Sequence, residues 1–227
     1  MTGTLARGNA IEDVLHNLTA ASLALIRGAD CAKLSVIDNG VLRSTAATSE
    51  LAVSLDTPQQ VARRGPCLEA ISTRKAIRCD DLRTDARWPE FSPIAMTAGV
   101  RSVMSCPIDT PENGGATLSL FGFQTAAFGP ESETIGAVLA DHASIALLNQ
   151  RQEREFQTAL ASRDVIGQAK GVVMERFGVD AHQAFAMLTA LSQNTNTPVR
   201  DLAAKLVNPA GKALLPTSQW PSPRSRA

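Results

Sequence analysis

Between Arg163 and Ala203 the sequence gathers side chains that suit a phosphate chain and exposed bases. Arg163, Lys170 and Arg200 carry positive charge, while Ser192, Asn196 and Thr197 carry hydroxyl and amide groups able to read a base edge. Each has a plainer alternative. Arg200 adjoins Asp201, so an ion pair on a solvated helix face is an equal reading, and Asn196 sits where an ordinary turn residue would. Residues 151–207 hold seven basic and six acidic side chains, an excess of one, which predicts modest and salt-sensitive attraction to phosphate. The other reactive groups are thiols. Cys31, Cys67, Cys79 and Cys106 are too widely spaced for a Cys-x-x-Cys centre or a zinc site, and His16, His142 and His182 are scattered. Cys67, behind Gly65-Pro66, is the candidate sensor thiol, with a buried structural cysteine as the default.

The elements that must position the C-terminal cations follow from periodicity. Ile166, Ala169, Val173 and Phe177 fall on one helical face with Lys170 beside it. Gly171 interrupts that helix at a cost of ~1 kcal/mol relative to Ala, which predicts close helix packing or a ligand. Gly178 stops the helix and Asp180 caps a second, with Ala184, Phe185, Leu188 and Leu191 expected to face inward. After a turn at Asn194–Thr197, Thr197 is expected to cap a third helix with Pro198 at its first position and Leu202 and Leu206 inside. Upstream, NQRQERE is polar all round, and the apolar stripe resumes at Phe156 and Leu160 with no Gly or Pro between. One helix is therefore expected to run through. Phe156 and Leu160 would stand in water in a monomer, which predicts a paired helix in a homodimer; packing against the chain's own third helix has equal weight.

Composition bounds the remainder. At 227 residues and 44% hydrophobic the chain is not disordered as a whole, and 22 basic against 22 acidic residues leave no global nucleic-acid signature. No N-terminal signal pattern and no apolar run near the ~20 residues of a membrane span are visible, so a soluble, cytoplasmic protein with reduced thiols is expected. Residues 1–9 read as a loose start, followed by a helix with Ile11, Val14, Leu15, Leu18, Leu25 and Ile26 on one face. CAKLSVID, the Asn39-Gly40 turn and VLRSTAAT read as a β-hairpin. A helix over Glu50–Arg63, a short helix from Leu68, a strand at Ala76–Cys79, an irregular loop and a helix at 93–98 come next. Strands at 100–108 and 116–124 then precede a long helix from Pro130, with Ile135, Val138, Leu139, Ile145 and Leu148 inward. Leu34, Val36, Val103, Ser105 and Phe121 are expected on one side of the core. The order predicts an α+β fold, an antiparallel sheet sandwiched by helices, followed by an all-α three-helix bundle joined by a long helix. From Asn208 the chain is rich in Pro and Ser and is expected to be disordered, with Lys212, Arg224 and Arg226 adding weak phosphate attraction and Trp220 docking back or standing exposed.

Two resemblances sharpen these expectations. Ala169-Lys170-Gly171 with Met174, Ala184-Phe185, Leu188, Ser192, Asn196, Arg200-Asp201 and Ala203 resembles the ANTAR domain, a three-helix RNA-binding module of bacterial antitermination regulators. Thr189, Ala190 and Pro198 stand where that family often carries basic residues, removing charge. Gly65-Pro66-Cys67-Leu68, Arg87-Trp88-Pro89, Gly99-Val100-Arg101-Ser102, Pro107 and Phe128, in this element order, resemble a GAF domain of the kind that precedes ANTAR in actinobacterial regulators. The pair implies a cytoplasmic, homodimeric regulator: a GAF-like sensor at 11–150, an RNA-binding effector at 151–207, and a tail at 208–227. The effector would hold paired hairpin loops of a nascent transcript so that a terminator does not form. The sensor would take an unknown small molecule or a redox signal. No cofactor is indicated, since neither a cyclic-nucleotide signature nor a haem-ligand arrangement is visible. Two rivals remain. Some GAF proteins reduce free methionine sulfoxide with several thiols, and Cys67 matches one of these, with Cys79 and Cys106 as followers; here Val103 replaces an expected acid. A DNA-binding reading would use the helix from Thr197, which carries only Arg200 and Lys205. The expectation is a non-enzyme.

Overall fold

The computed structural model describes residues 2–110, 114–208 and 220, the first ten of them by backbone alone. The chain forms two compact units, Met1–Arg151 and Gln152–Ala227. In order, the elements are α1 (Thr2–Leu25), β1 (Cys31–Asp38), β2 (Val41–Ala47), α2 (Glu50–Ser54), α3 (Asp56–Ala62), α4 (Pro66–Thr73), β3 (Ile77–Cys79), α5 (Phe91–Thr97), β4 (Ser102–Ile108), β5 (Ala116–Gly122), α6 (Pro130–Phe177), α7 (Ala181–Thr195) and α8 (Val199–Val207). The expected loose start is helical from Thr2, and the expected helix over 50–63 is two helices broken at Leu55.

The first unit is a five-stranded antiparallel sheet in the order β2-β1-β5-β4-β3. Asn39 and Gly40 both take positive φ (49° and 78°), which closes the β1–β2 hairpin as a type I′ turn. Because side chains alternate along a strand, each face has its own chemistry. One face carries Ala32, Leu34, Met104, Cys106, Ile108, Leu118 and Leu120, packed with Leu15 and Ile26 of α1 and its C-terminal end and with Leu139, Ala140 and Ala143 of α6. The other face joins Val103 and Phe121 to Ala52, Leu55, Trp88, Phe91 and Ala95. Leu34 and Val36 therefore lie across the sheet from Val103, Ser105 and Phe121, not beside them.

The inward stripe of α6 also differs from expectation. Val138 is 51% exposed and Ile145 60%, and Leu148 is exposed as well, while Leu139, Ala140, Ala143 and Ala146 are buried. The cause is how close the helix comes to the sheet. A Cβ added to Gly136 would lie 2.6 Å from Cys106 Sγ, so only small residues fit that seam. On α1, Val14 and Leu25 are likewise exposed, and Leu15, Thr19 and Ser22 face in.

The second face holds a buried polar layer. Lys33 is fully buried and its Nζ meets Asp56 Oδ1, while Ser44 Oγ donates to Asp56 Oδ2 at 2.5 Å and Ser35 Oγ to Oδ1 at 3.3 Å. Alongside, Ser119 Oγ lies 2.9 Å from Ser105 Oγ and 3.4 Å from Thr117 Oγ1. Hydrogen bonding is what makes such burial tolerable, because an unpaired buried charge is strongly destabilising.

In the second unit, Ala169 and Val173 of α6 pack against Ala184, Met187, Leu188 and Leu191 of α7 and Leu202, Ala203 and Leu206 of α8. Asp180 and Gln183 form a reciprocal capping box at the start of α7. The cap of α8 is Pro198 rather than Thr197, whose Oγ1 donates instead to Thr195 O. A Cβ at Gly171 would meet nothing within 4 Å, so the expected close helix packing there is not observed. Trp220 is buried against this core, its ring 5.2 Å from that of Phe177. The remainder of the tail, with Lys212, Arg224 and Arg226, lies outside the described residues.

Asp56→Ala should lower the unfolding free energy by about 3–5 kcal/mol, because it strands the Lys33 ammonium in the core. The double change Lys33→Met with Asp56→Leu should recover most of that loss. Urea unfolding of the full chain reads both.

Candidate nucleic-acid interface and sensor core

The sequence-selected cations of the effector fall into two groups. Arg163 and Lys170 lie on one face of α6 and line an open groove with Asp164, Ile166, Gly167 and, across from them, Phe185 of α7. Lys170 Nζ stands 6.0 Å from the centre of the Phe185 ring, within reach of a cation–π contact. Among the described residues, neither Arg163 nor Lys170 pairs with a carboxylate.

Ser192, Asn196 and Thr197 form the second group, at the turn between α7 and α8. Asn196 takes the left-handed conformation (φ 48°) that ends α7, and its side chain is exposed. Ser192 Oγ donates to Thr197 O at 2.6 Å, so its hydroxyl hydrogen is already used to close the turn. Arg200 meets Asp201 at 3.2 Å with both side chains about half exposed, a pair of little energetic value that a phosphate can displace. Among the described residues no hydrogen bond or ion pair joins these two groups.

Phe185 was expected inside, and it is 45% exposed. Its neighbours Ala184, Met187 and Leu188 fill the core instead, so Phe185 sits one position off the buried stripe. The sequence signal was present in its adjacency to Ala184 on a helix whose buried positions already sufficed. Phe156 and Leu160, on the outer surface of α6, are 58% and 43% exposed.

In the sensor, Cys67 opens α4 and is fully buried. Its N–H donates to Gln59 Oε1 at 2.9 Å, Gln59 Nε2 donates to its Sγ at 3.1 Å, and Sγ lies 3.1 Å from Ser119 Oγ. Gly65 is required here, since a Cβ would come within 2.3 Å of Gln59 Cγ. All four thiols are free and buried. Burial first, and the hydrogen bond and charge of Asp85 next, push the Cys79 thiol from 9.0 to about 12. Burial, then the charge of Glu133, pushes Cys106 to about 12, and burial raises Cys31. Cys106 points into the α1/α6 core, across the sheet from Cys67, so these two cannot form the attacking and resolving pair of a thiol reductase without breaking the sheet.

A sheet unit with an apolar face under two helices and polar clusters on the other is followed by a cation-bearing bundle, and α6 runs from the first unit into the second. The chain belongs to the GAF domain family, which matches residues 8–148, and carries an ANTAR domain matching residues 154–207. The sheet fold is shared with the GAF3 domain of Slr1393 from Synechocystis sp. PCC6803 in its photoproduct state (TM-score 0.54, 10% identity, 65% of this chain and 99% of that one). It is shared too with a domain of a protein described as a two-component sensor histidine kinase from Sinorhizobium meliloti 1021 (TM-score 0.53, 16% identity, 66% and 99%). The GAF domain of a two-component sensor histidine kinase from Bacillus halodurans also matches (TM-score 0.50, 19% identity, 62% and 95%). No curated protein matches the chain. The GAF and ANTAR assignments place the protein among signal-transducing transcription regulators. Among the described residues, no helix is long and apolar enough to cross a membrane.

At pH 8 a thiol reagent should react with none of the four cysteines on the timescale that titrates all four in guanidinium chloride. Stability should also fall as pH rises above 9, since unfolded thiols ionise there while folded Cys79 and Cys106 keep their protons to about 12. Denaturant midpoints from pH 8 to 10.5 check the sign.

Proposed function

We propose that this chain is an RNA-binding antitermination regulator in which the GAF domain controls the ANTAR domain's grip on hairpin loops of nascent transcripts. The observation that carries the reading is the placement of exposed Arg163 and half-buried Lys170, free of carboxylate partners, along one groove of the ANTAR-matching segment. Arg200 supplies a further phosphate contact, and Asn196, Ser192 and Thr197 present a polar turn to unpaired bases. The protein acts where transcripts are made, in the cytoplasm, and by binding rather than by catalysis. The sensor spans 11–150, the effector 151–207 and the tail 208–227.

A homodimer completes the reading. Val138, Ile145, Phe156 and Leu160 expose apolar surface along α6, and a second copy of that helix is the simplest cover for it. Two copies also match two hairpins. The signal is a small molecule received by the GAF domain, for which the polar layer around Lys33, Asp56 and Ser119 is the suited receiving face. Native mass spectrometry reads both subunit number and any retained molecule.

The full chain should shift a two-hairpin RNA more strongly than duplex DNA of equal length in one electrophoretic experiment. Lys170→Ala should weaken RNA binding and reduce the slope of log affinity against log salt by roughly 0.7–0.9, the loss of one phosphate contact. Unchanged affinity and slope would remove Lys170 from the interface. Equal affinity for duplex DNA would overturn the RNA reading.

A further inference from the structure

We infer that Phe185 is a stacking platform for one unpaired RNA base, with Lys170 and Arg163 holding the phosphates that flank it. The inference rests on the RNA reading above and deepens it, since it assigns an aromatic contact to a site otherwise read as charge alone.

Three observations converge on the groove between α6 and α7. Phe185 is 45% exposed although its helix has a full buried stripe without it, so its ring is not needed to close the core. Lys170 Nζ sits over the ring, 6.0 Å from its centre, which sets a cation and an aromatic ring at one place. The α6 wall lacks a side chain at Gly167. A Cβ added there would meet nothing within 4 Å, and the same holds at Gly171, one turn on and outside the groove lining. Each glycine costs a helix ~1 kcal/mol relative to Ala, and no packing inside the chain calls for either. A wall without a side chain at Gly167, a part-exposed aromatic ring and unpaired cations suit a planar, anionic unit. A nucleotide in a single-stranded loop is such a unit, because its base stacks on aromatic rings while its phosphate meets Lys or Arg.

Charge decides against a second copy of the chain as occupant. Laying this groove on its own twofold mate would bring two Arg163 and two Lys170 into one seam, with only two Asp164 carboxylates to offset them. Beside a nucleotide, Asp164 has a use: it repels phosphate toward Lys170 and accepts a hydrogen bond from a base amino group.

The test compares full-length wild type with Phe185→Ala, Phe185→Leu and Phe185→Trp on a two-hairpin RNA carrying 2-aminopurine in one loop. Wild type and Phe185→Trp should quench the fluorophore. Phe185→Ala and Phe185→Leu should bind roughly 10-fold more weakly or worse, with the salt slope unchanged because no phosphate contact is lost. Phe185→Leu keeps the apolar bulk, so its loss isolates the ring from a folding defect, and circular dichroism checks the fold of each. Wild-type binding with Phe185→Leu indistinguishable from it overturns the platform and leaves RNA binding standing. A variant that changes subunit number but not RNA affinity assigns the ring to a protein contact and overturns it too. No hairpin binding by wild type overturns the RNA reading and the platform together.

Discussion

One helix belongs to two hydrophobic cores. Near its start α6 buries Leu139, Ala140, Ala143 and Ala146 against the sheet, and near its end it buries Ala169 and Val173 in the bundle. Between Ala146 and Ala169 none of its residues is buried. A helix without tertiary packing is marginal in water, so this stretch depends on both ends being held, on its mixed charges, and on whatever covers Phe156 and Leu160. α6 is continuous from Gly136, packed beside Cys106, to Arg163 and Lys170. That continuity is the physical basis for letting a sensor bias an effector; the bias itself requires two arrangements of α6 with different affinity for RNA.

The two faces of the sheet differ in chemistry. Its α1/α6 face is apolar and closely packed, suited to fixing α6. Against its other face lie two separate buried polar clusters, Lys33 with Asp56, Ser35 and Ser44, and Ser119 with Ser105, Thr117 and Cys67, where an all-apolar surface would have been simpler to stabilise. Fully satisfied polar clusters of this kind rigidify a core and specify one arrangement of it. The cysteines divide between the faces: Cys106 packs against α6, Cys31 and Cys79 join the Val103 and Phe121 cluster on the opposite face, and Cys67 meets Ser119.

Local signals were legible in the sequence and non-local ones were not. Asn39-Gly40 specified its turn because those residue types tolerate two successive positive φ angles, and Asp180 specified a helix start because its carboxylate accepts from the first free N–H groups of α7. Strand alternation gave both faces of the sheet, yet the two faces were merged when Leu34 was grouped with Phe121, because register between strands is set by partners far along the chain. The inner stripe of α6 was misread toward large residues. Burial there follows helix–sheet distance, which selects Gly136, Ala140 and Ala143 over Val138 and Ile145. Asp56 lies inside the helix expected over 50–63, and only the fold brings Lys33 onto it. At the interface the cations could be chosen by type, whereas the exposure of Phe185 and the openness at Gly171 depend on which of several apolar residues the bundle uses first.

The central claim is that the C-terminal bundle grips RNA through the α6–α7 groove. Ultraviolet crosslinking in living cells, followed by mass spectrometry of the RNA-bearing peptides from this chain, tests it most directly. Adducts are expected on the peptides that contain Arg163 to Lys170 and Phe185. Recovery of no RNA under any growth condition, or adducts confined to residues before 150, would contradict it.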